Sequence, residues 1–293
     1  MSSPVSVSRS SPRGAAASLL ALMRPVNAVV AFTGIAAACV IAGAGAENWG
    51  RILLAALAGT LAASAGNVVN DVYDVEIDRV NKPWRALASG RLRRATAAAW
   101  AALLGCAALA LTVPLGSVPL LIMGASLIAM YIYSAWLKRV PLLGNLLVAV
   151  LTGMAFVFGA AAFDNPSAGL LPAGFALLFN LAREVLKDVE DMRGDHAGDV
   201  QTYPLRAGET AALRLVSAVI VLLIAATLVP ILLGTYGTAY AYVVVFGVDS
   251  VLLHVLIAMW KDRSTGNIRR LNVLLKYDML AGIAAILLGS ITA

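Results

Sequence analysis

The chain has 293 residues, 60% of them hydrophobic and only 13% charged, with a mean hydropathy of +0.85. Soluble domains carry about a quarter charged residues, so this composition excludes an ordinary water-soluble fold. The formal net charge of +6 does not mark a nucleic-acid binder, because the cations fall in short loops between apolar runs rather than along one face. Cys39 and Cys106 both sit inside apolar runs and read as small core residues, not as a disulfide or metal pair.

In chain order, residues 1–14 are rich in Ser, Pro and Arg and are expected to form a disordered cytoplasmic tail. They lack an apolar stretch followed by a small-residue cleavage site, so no removable signal peptide is expected. Residues 15–293 then read as a single intramembrane domain. Apolar runs long enough to span a bilayer, roughly 20 residues each, fall near 17–45, 49–72, 96–114, 117–137, 141–163, 168–188, 209–233, 236–260 and 269–291. The predicted fold class is therefore an all-α integral membrane protein with nine transmembrane helices. Pro25, Pro119, Pro141 and Pro172 fall near helix starts, where a missing amide hydrogen costs least, while Pro230 is expected to kink or end the seventh helix.

Loop charge sets the orientation. Arg79, Lys82, Arg85, Arg91, Arg93 and Arg94 follow the second run, Lys138 and Arg139 the fourth, and Lys261, Arg263, Arg269 and Arg270 the eighth. The alternate loops carry only Glu47, Arg51 and Asp164. The positive-inside rule then places the N-terminus in the cytoplasm of a multi-pass cell-membrane protein.

Two polar clusters stand out against this apolar background. Asn67, Asn70, Asp71, Asp74 and Asp78 close the second run, and Glu184, Asp188, Asp191 and Asp195 close the sixth. Their main steps are three or four residues, so on a helix each set projects from one face. A lone interfacial Asp is ordinarily a solvated helix end. Two matched sets in a chain with only 16 acidic residues are harder to explain in that way, since a carboxylate near the bilayer interior costs ~2.5–3.5 kcal/mol. A divalent cation resolves the repulsion, and Mg²⁺ characteristically binds through a few carboxylates plus substrate phosphates. Arg85, Lys138, Arg183 and Lys187 are placed by topology to hold the diphosphate oxygens. The opposing reading, an ion or metal transporter, would place its carboxylates nearer the midplane on broken helices.

These residues carry a family resemblance. Asn70-Asp71-Val72-Tyr73-Asp74-Val75-Glu76-Ile77-Asp78 resembles the NDxxDxxxD motif of the UbiA-type intramembrane prenyltransferases. The loop Arg79–Arg85, then Ser89-Gly90-Arg91, is similar to the family's loop immediately after that motif. Asp188 to Asp195 resembles the second Asp-rich motif, Tyr133-Ser134 with Lys138-Arg139 the signature after the fourth helix, and Arg24-Pro25-Val26-Asn27 the opening helix. Ala86 and Ala88 depart from the pattern, standing where many relatives have proline.

The resemblance implies nine helices around a central cavity open to lipid, and Mg²⁺-dependent loss of diphosphate from an allylic isoprenyl donor. It implies metal ligation by Asn70, Asp71, Asp74 and Asp78 on one side and Asp188, Asp191 and Asp195 on the other, with Asp71, Asp74, Asp188 and Asp191 catalytic. Arg85 and Lys138 would bind diphosphate, Tyr133 would lie near the reacting carbon, and Asn67 and Glu184 would orient ligands from a turn deeper. Arg183 and Lys187 would complete the substrate site.

The second cluster is most similar to the ether-lipid branch, which transfers geranylgeranyl to the hydroxyl of geranylgeranylglyceryl phosphate. Arg183, Arg193 and Arg206 are extra cations suited to that acceptor's phosphate. The alternative is an aromatic or tetrapyrrole acceptor, as in quinone or chlorophyll biosynthesis. Farther along, His254 reads as a core histidine, while Lys276 and Asp278 either line the cavity or form a local ion pair; Asp249 has no account from sequence.

Overall fold

The computed structural model describes residues 12–197 and 201–292, with side chains over 14–192 and 201–292. Among these residues all regular structure is helical. Helix α1 (Pro12–Leu22) leads into α2 (Pro25–Ile41), and α3 (Trp49–Tyr73) continues through Asp74 into the short α4 (Val75–Asn81). Then come α5 (Arg94–Thr112), α6 (Ser117–Ala135), α7 (Leu143–Ala161) and α8 (Leu170–Ala197). A short α9 (Tyr203–Ala207) precedes α10 (Glu209–Leu233). Next, α11 (Thr238–Val243) passes through a π turn at Val244–Val248 into α12 (Asp249–Lys261), and α13 (Thr265–Ile291) ends the fold.

Eight helical segments among the described residues are long and apolar enough to cross a membrane, and α1 with α2 makes a ninth if the bent pair is one span. That first segment differs from the continuous run expected over 17–45. It starts at Pro12, inside the expected tail, and bends by 48° between Leu22 and Pro25. The cause is local: Pro25 cannot donate to the turn before it and disfavours the right-handed helical conformation for its predecessor. Arg24 accordingly sits in the left-handed region (φ 54°, ψ 76°). Pro230 lies inside α10, which continues to Leu233.

The helices form a ring. α3 packs on α2, α5 and α6, α7 on α6, α2 and α8, and α8 on α10 and α13; α13 returns to α2 and closes the circuit. Leu121, Ile128, Leu232 and Phe246 project outward as exposed apolar side chains, as a lipid-facing surface requires. Inside the ring lies a cavity of about 340 Å³ with mainly apolar walls from α2, α3, α6, α7, α8, α10 and α13. Close approach around it depends on glycine. A Cβ at Gly159 would lie 2.7 Å from the Ile35 carbonyl oxygen of α2, and one at Gly153 would lie 2.7 Å from that of Ala173 on α8. Small residues at such crossings let helix backbones touch where no hydrophobic effect drives them together.

Two polar features are structural. At one end of the bundle, Arg51 near the start of α3 donates from Nε to the Ala162 carbonyl (2.6 Å) and from Nη2 to the Leu115 carbonyl (2.9 Å), with Phe163 beneath its guanidinium. These carbonyls end α7 and the turn after α5, so one cation meets two negative helix ends. Deep in the fold, the Thr227 hydroxyl lies 3.1 Å from Asp249 Oδ1, and the Tyr240 hydroxyl donates to the Thr227 carbonyl at 2.9 Å. This buried cluster joins α10, α11 and α12 and accounts for the acid at position 249.

Candidate active site

The first polar cluster keeps its four-residue spacing although α3 ends at Tyr73. The Asp74 amide still donates to the Asn70 carbonyl (2.9 Å) and the Asp78 amide to that of Asp74 (2.8 Å). Asp74 is thus a bend in a nearly continuous helix, and buried Val75 fixes α4 beneath it. Across the ring, Asp188 and Asp191 descend along α8, which packs on α4. The loop between α4 and α5 lies over the site, pinned by buried Ala86, Leu87 and Leu92.

The carboxylates of both walls already have partners. Asp71 Oδ1 accepts from Arg24 (2.7 Å) and Arg85 (3.1 Å), and Arg85 also donates to Asp78 Oδ2 (2.6 Å). Asp74 accepts from Lys138 and, at 2.7 Å, from the Asn70 side-chain amide. Lys82 donates to Asp191 Oδ2 (2.6 Å) and the Asn81 side chain to the Asp191 carbonyl (3.2 Å). Asn145 of α7 donates to Asp188 Oδ2 (2.8 Å). Burial pushes the Asp78 carboxyl above its ordinary pKa, with the Arg85 guanidinium opposing the rise.

The two acidic walls share one small polar pocket of about 70 Å³. Asn70, Asp74 and Asp78 line one side and Asp188 and Asp191 the other, with Lys82, Arg85 and Lys138 between them. Arg24, Asn70, Tyr133 and Lys187 also line the large apolar cavity, so the pocket opens into it. Asp71, expected among the metal ligands, is buried behind this wall and holds the two arginines that reach it. Asn67 faces the large cavity and donates to the Met23 carbonyl (3.4 Å), beside the α1–α2 bend. Glu184 joins Arg183 (3.0 Å) and Lys187 (3.1 Å) at the same cavity. Of the two readings left open for Lys276 and Asp278, the ion pair is not formed and cavity lining holds for Lys276 alone, since Asp278 is buried outside the cavity wall. The side chains of Asp195 and Arg193 lie outside the described residues, and Glu76 with Arg79 is an exposed pair at 2.5 Å.

The donor set suits Mg²⁺: hard oxygens only, and among them the buried Asn70 Oδ1 with no partner. Among the described residues no three acidic or imidazole side chains converge tightly enough to cage a cation alone, so further ligands must come from elsewhere. The residues that sequence reasoning missed are Asn145, Asn81 and Lys82, each bonded to an acid at least 43 positions away. A lone Asn inside an apolar run was the available signal for Asn145.

A ring of membrane-length helices around an apolar cavity, capped by two acidic walls and a basic loop, defines an intramembrane enzyme of the prenyltransferase kind. The chain belongs to the UbiA prenyltransferase family, whose sequence pattern matches residues 29–277. It is 35% identical to the digeranylgeranylglyceryl phosphate synthase of Methanopyrus kandleri, covering 92% of this chain and 97% of that one. It is 38% identical to the enzyme of that name from Halobacterium salinarum, over 92% and 96%. A solved digeranylgeranylglyceryl phosphate synthase superposes with a TM-score of 0.74 at 27% identity, over 94% and 98% of the two chains. A UbiA homologue from Archaeoglobus fulgidus, solved with GPP and Mg²⁺, shares the fold at a TM-score of 0.66 and 16% identity, over 92% and 99%.

Proposed function

We propose that this protein transfers a geranylgeranyl group from its allylic diphosphate to the free hydroxyl of geranylgeranylglyceryl phosphate in ether-lipid synthesis, with Mg²⁺ required. The observation carrying this reading is the polar pocket itself, where two acidic walls and five cations open onto an apolar cavity. Asn70, Asp74 and Asp78 would hold metal on one wall and Asp188, Asp191 and Asp195 on the other. Bound Mg²⁺ supplies Lewis-acid stabilisation of the leaving diphosphate. Lys138, Arg85 and Lys82 add fixed positive charge against the oxygens that gain negative charge as the bond breaks. Asp71 positions Arg85 and Arg24, and Asn145 fixes the rotamer of Asp188.

The donor's C1–O bond breaks with its electron pair leaving on diphosphate. The acceptor oxygen then bonds to C1 and its proton passes to the departed diphosphate. Tyr133, at the junction of pocket and cavity, lies where C1 would pass from polar to apolar surroundings. The cavity walls hold the isoprenoid chain and keep water from trapping the allylic cation. The reactive mouth is proposed to face the cytoplasm, since the Arg- and Lys-rich loops gather beside the acidic helix ends. Residues 15–293 are proposed to act as one domain.

The test is product formation by purified protein in lipid nanodiscs. Labelled geranylgeranyl diphosphate is supplied with geranylgeranylglyceryl phosphate or an aromatic acceptor, with Mg²⁺ or a chelator. Transfer to the glyceryl phosphate that stops on chelation is expected. Transfer to the aromatic acceptor alone would reassign the function.

A further inference from the structure

A second set of polar groups faces the large cavity away from the acidic walls. Arg183 and Asn180 of α8 and Lys276 of α13 line it, and the two helices pack together. Asn180 is only 4% exposed, yet its Nδ2 has no hydrogen-bond partner; the buried Nε of Arg183 has none either. Lys276 forms no ion pair among the described residues, and it lies within electrostatic reach of both Arg183 and Arg24. Glu184 pairs with Arg183 and Lys187, and Lys187 also lines the acidic pocket beside Asp188 and Asp191, while Arg24 is committed to Asp71. The wall therefore carries one cation, Lys276, without an ion pair among the described residues, and two buried donors without a hydrogen-bond partner. Buried donors left without a partner are destabilising, and so is an unpaired charge inside a bilayer.

Arg183, Asn180 and Lys276 line the large cavity and not the diphosphate pocket, whereas Arg24 borders both. At ~1.5 Å rise per residue, Arg183 and Asn180 lie five and eight residues above Asp188, roughly one and two turns deeper. The diphosphate pocket has its own cations in Lys82, Arg85 and Lys138. The nucleophile must approach C1 from the cavity side, and a glyceryl phosphate brings a phosphate a few bonds from its attacking hydroxyl. A phosphate monoester carries about −1.5 to −2 charge at neutral pH and three acceptor oxygens, which suits the unpaired Lys276 and the unpartnered Arg183 and Asn180 donors. We propose that Arg183, Lys276 and Asn180, with Arg24 at the rim, form the site for the acceptor's phosphate monoester. This inference rests on the acceptor class proposed above.

The test compares geranylgeranylglyceryl phosphate with its dephosphorylated counterpart, geranylgeranylglycerol, in the full-length enzyme with Mg²⁺ and geranylgeranyl diphosphate. The wild type should prefer the phosphorylated acceptor. Lys276→Gln should raise the KM for that acceptor roughly 10- to 100-fold, as expected for losing a charge-assisted contact. The KM for the donor should stay within about twofold, and Lys276→Arg should recover most of the preference. Asn180→Ala should move the same ratio in the same direction. Equal use of both acceptors by the wild type would overturn the inference, as would a Lys276→Gln effect falling equally on both or on donor KM. Complete failure of the wild type with the phosphorylated acceptor, while it prenylates another, would overturn the functional reading itself and this site with it.

Discussion

Lys138→Met separates the structural from the chemical part of the site. The Lys138 side chain is 8% exposed and Asp74, its partner, 16%; the ammonium also lies 5.6 Å above the Tyr73 ring. Methionine keeps most of the stem and removes the charge. Stripping one partner from a fully buried ion pair costs about 3–5 kcal/mol. Asp74, however, retains the Asn70 amide at 2.7 Å and some contact with solvent, so the loss of stability should be nearer ~1.5–3 kcal/mol. The chemical effect should be larger, because a cation set against a developing oxyanion is worth roughly 100- to 1,000-fold in rate. Unfolding of the detergent-solubilised protein and kcat/KM for geranylgeranyl diphosphate read the two effects separately. The double variant Lys138→Met/Asp74→Asn should recover stability, since no charge is then left unpaired, and stay inactive. If Lys138→Met lowers stability but keeps kcat/KM within about threefold of wild type, the lysine serves only Asp74 and its diphosphate role is refuted.

Asp74→Asn and Asp191→Asn should each abolish turnover while circular dichroism retains full helix content; near-normal rates in both would remove the metal assignment. Asn145→Leu takes from Asp188 the amide bonded at 2.8 Å. It should raise the Mg²⁺ concentration for half-maximal rate by about 10- to 100-fold, as loss of an outer-shell partner commonly does, and an unchanged Mg²⁺ titration would sink that role. Gly159→Val drives a side chain toward the Ile35 carbonyl, only 2.7 Å from the Cβ position. Overpacking of this kind costs about 1–3 kcal/mol or more, read as a lower unfolding midpoint, and a midpoint equal to wild type would show that α2 and α7 part easily.

The helical set and the acidic faces were legible because both are local. Apolar runs of membrane length and carboxylates four residues apart need no knowledge of what lies opposite. Asn70, Asp74 and Asp78 duly face Asp188 and Asp191 across one pocket. The features that stayed hidden depend on pairings between distant helices. Asp71 directly follows Asn70 in the motif, and that one-residue step round the helix turns it to the wall behind, against Arg24 and Arg85. Lys82 looked like one more loop cation until α4 packed on α8 and set it on Asp191. The bend at Arg24 was written in Pro25 but masked by the unbroken hydropathy on both sides.

Arg51 has a bearing on how such an enzyme moves. Its two bonds tie α3 to the ends of two other segments at the end of the bundle remote from the acids. They are bonds to backbone carbonyls, which no substrate competes for. At the opposite end the ties are lysines and arginines on carboxylates, contacts of the type that anionic substrates and divalent ions exchange. The ring is thus hinged shut at its far rim and latched by replaceable bonds at its mouth. Arrival of a charged headgroup should therefore exchange contacts at the mouth and leave those at the far rim in place.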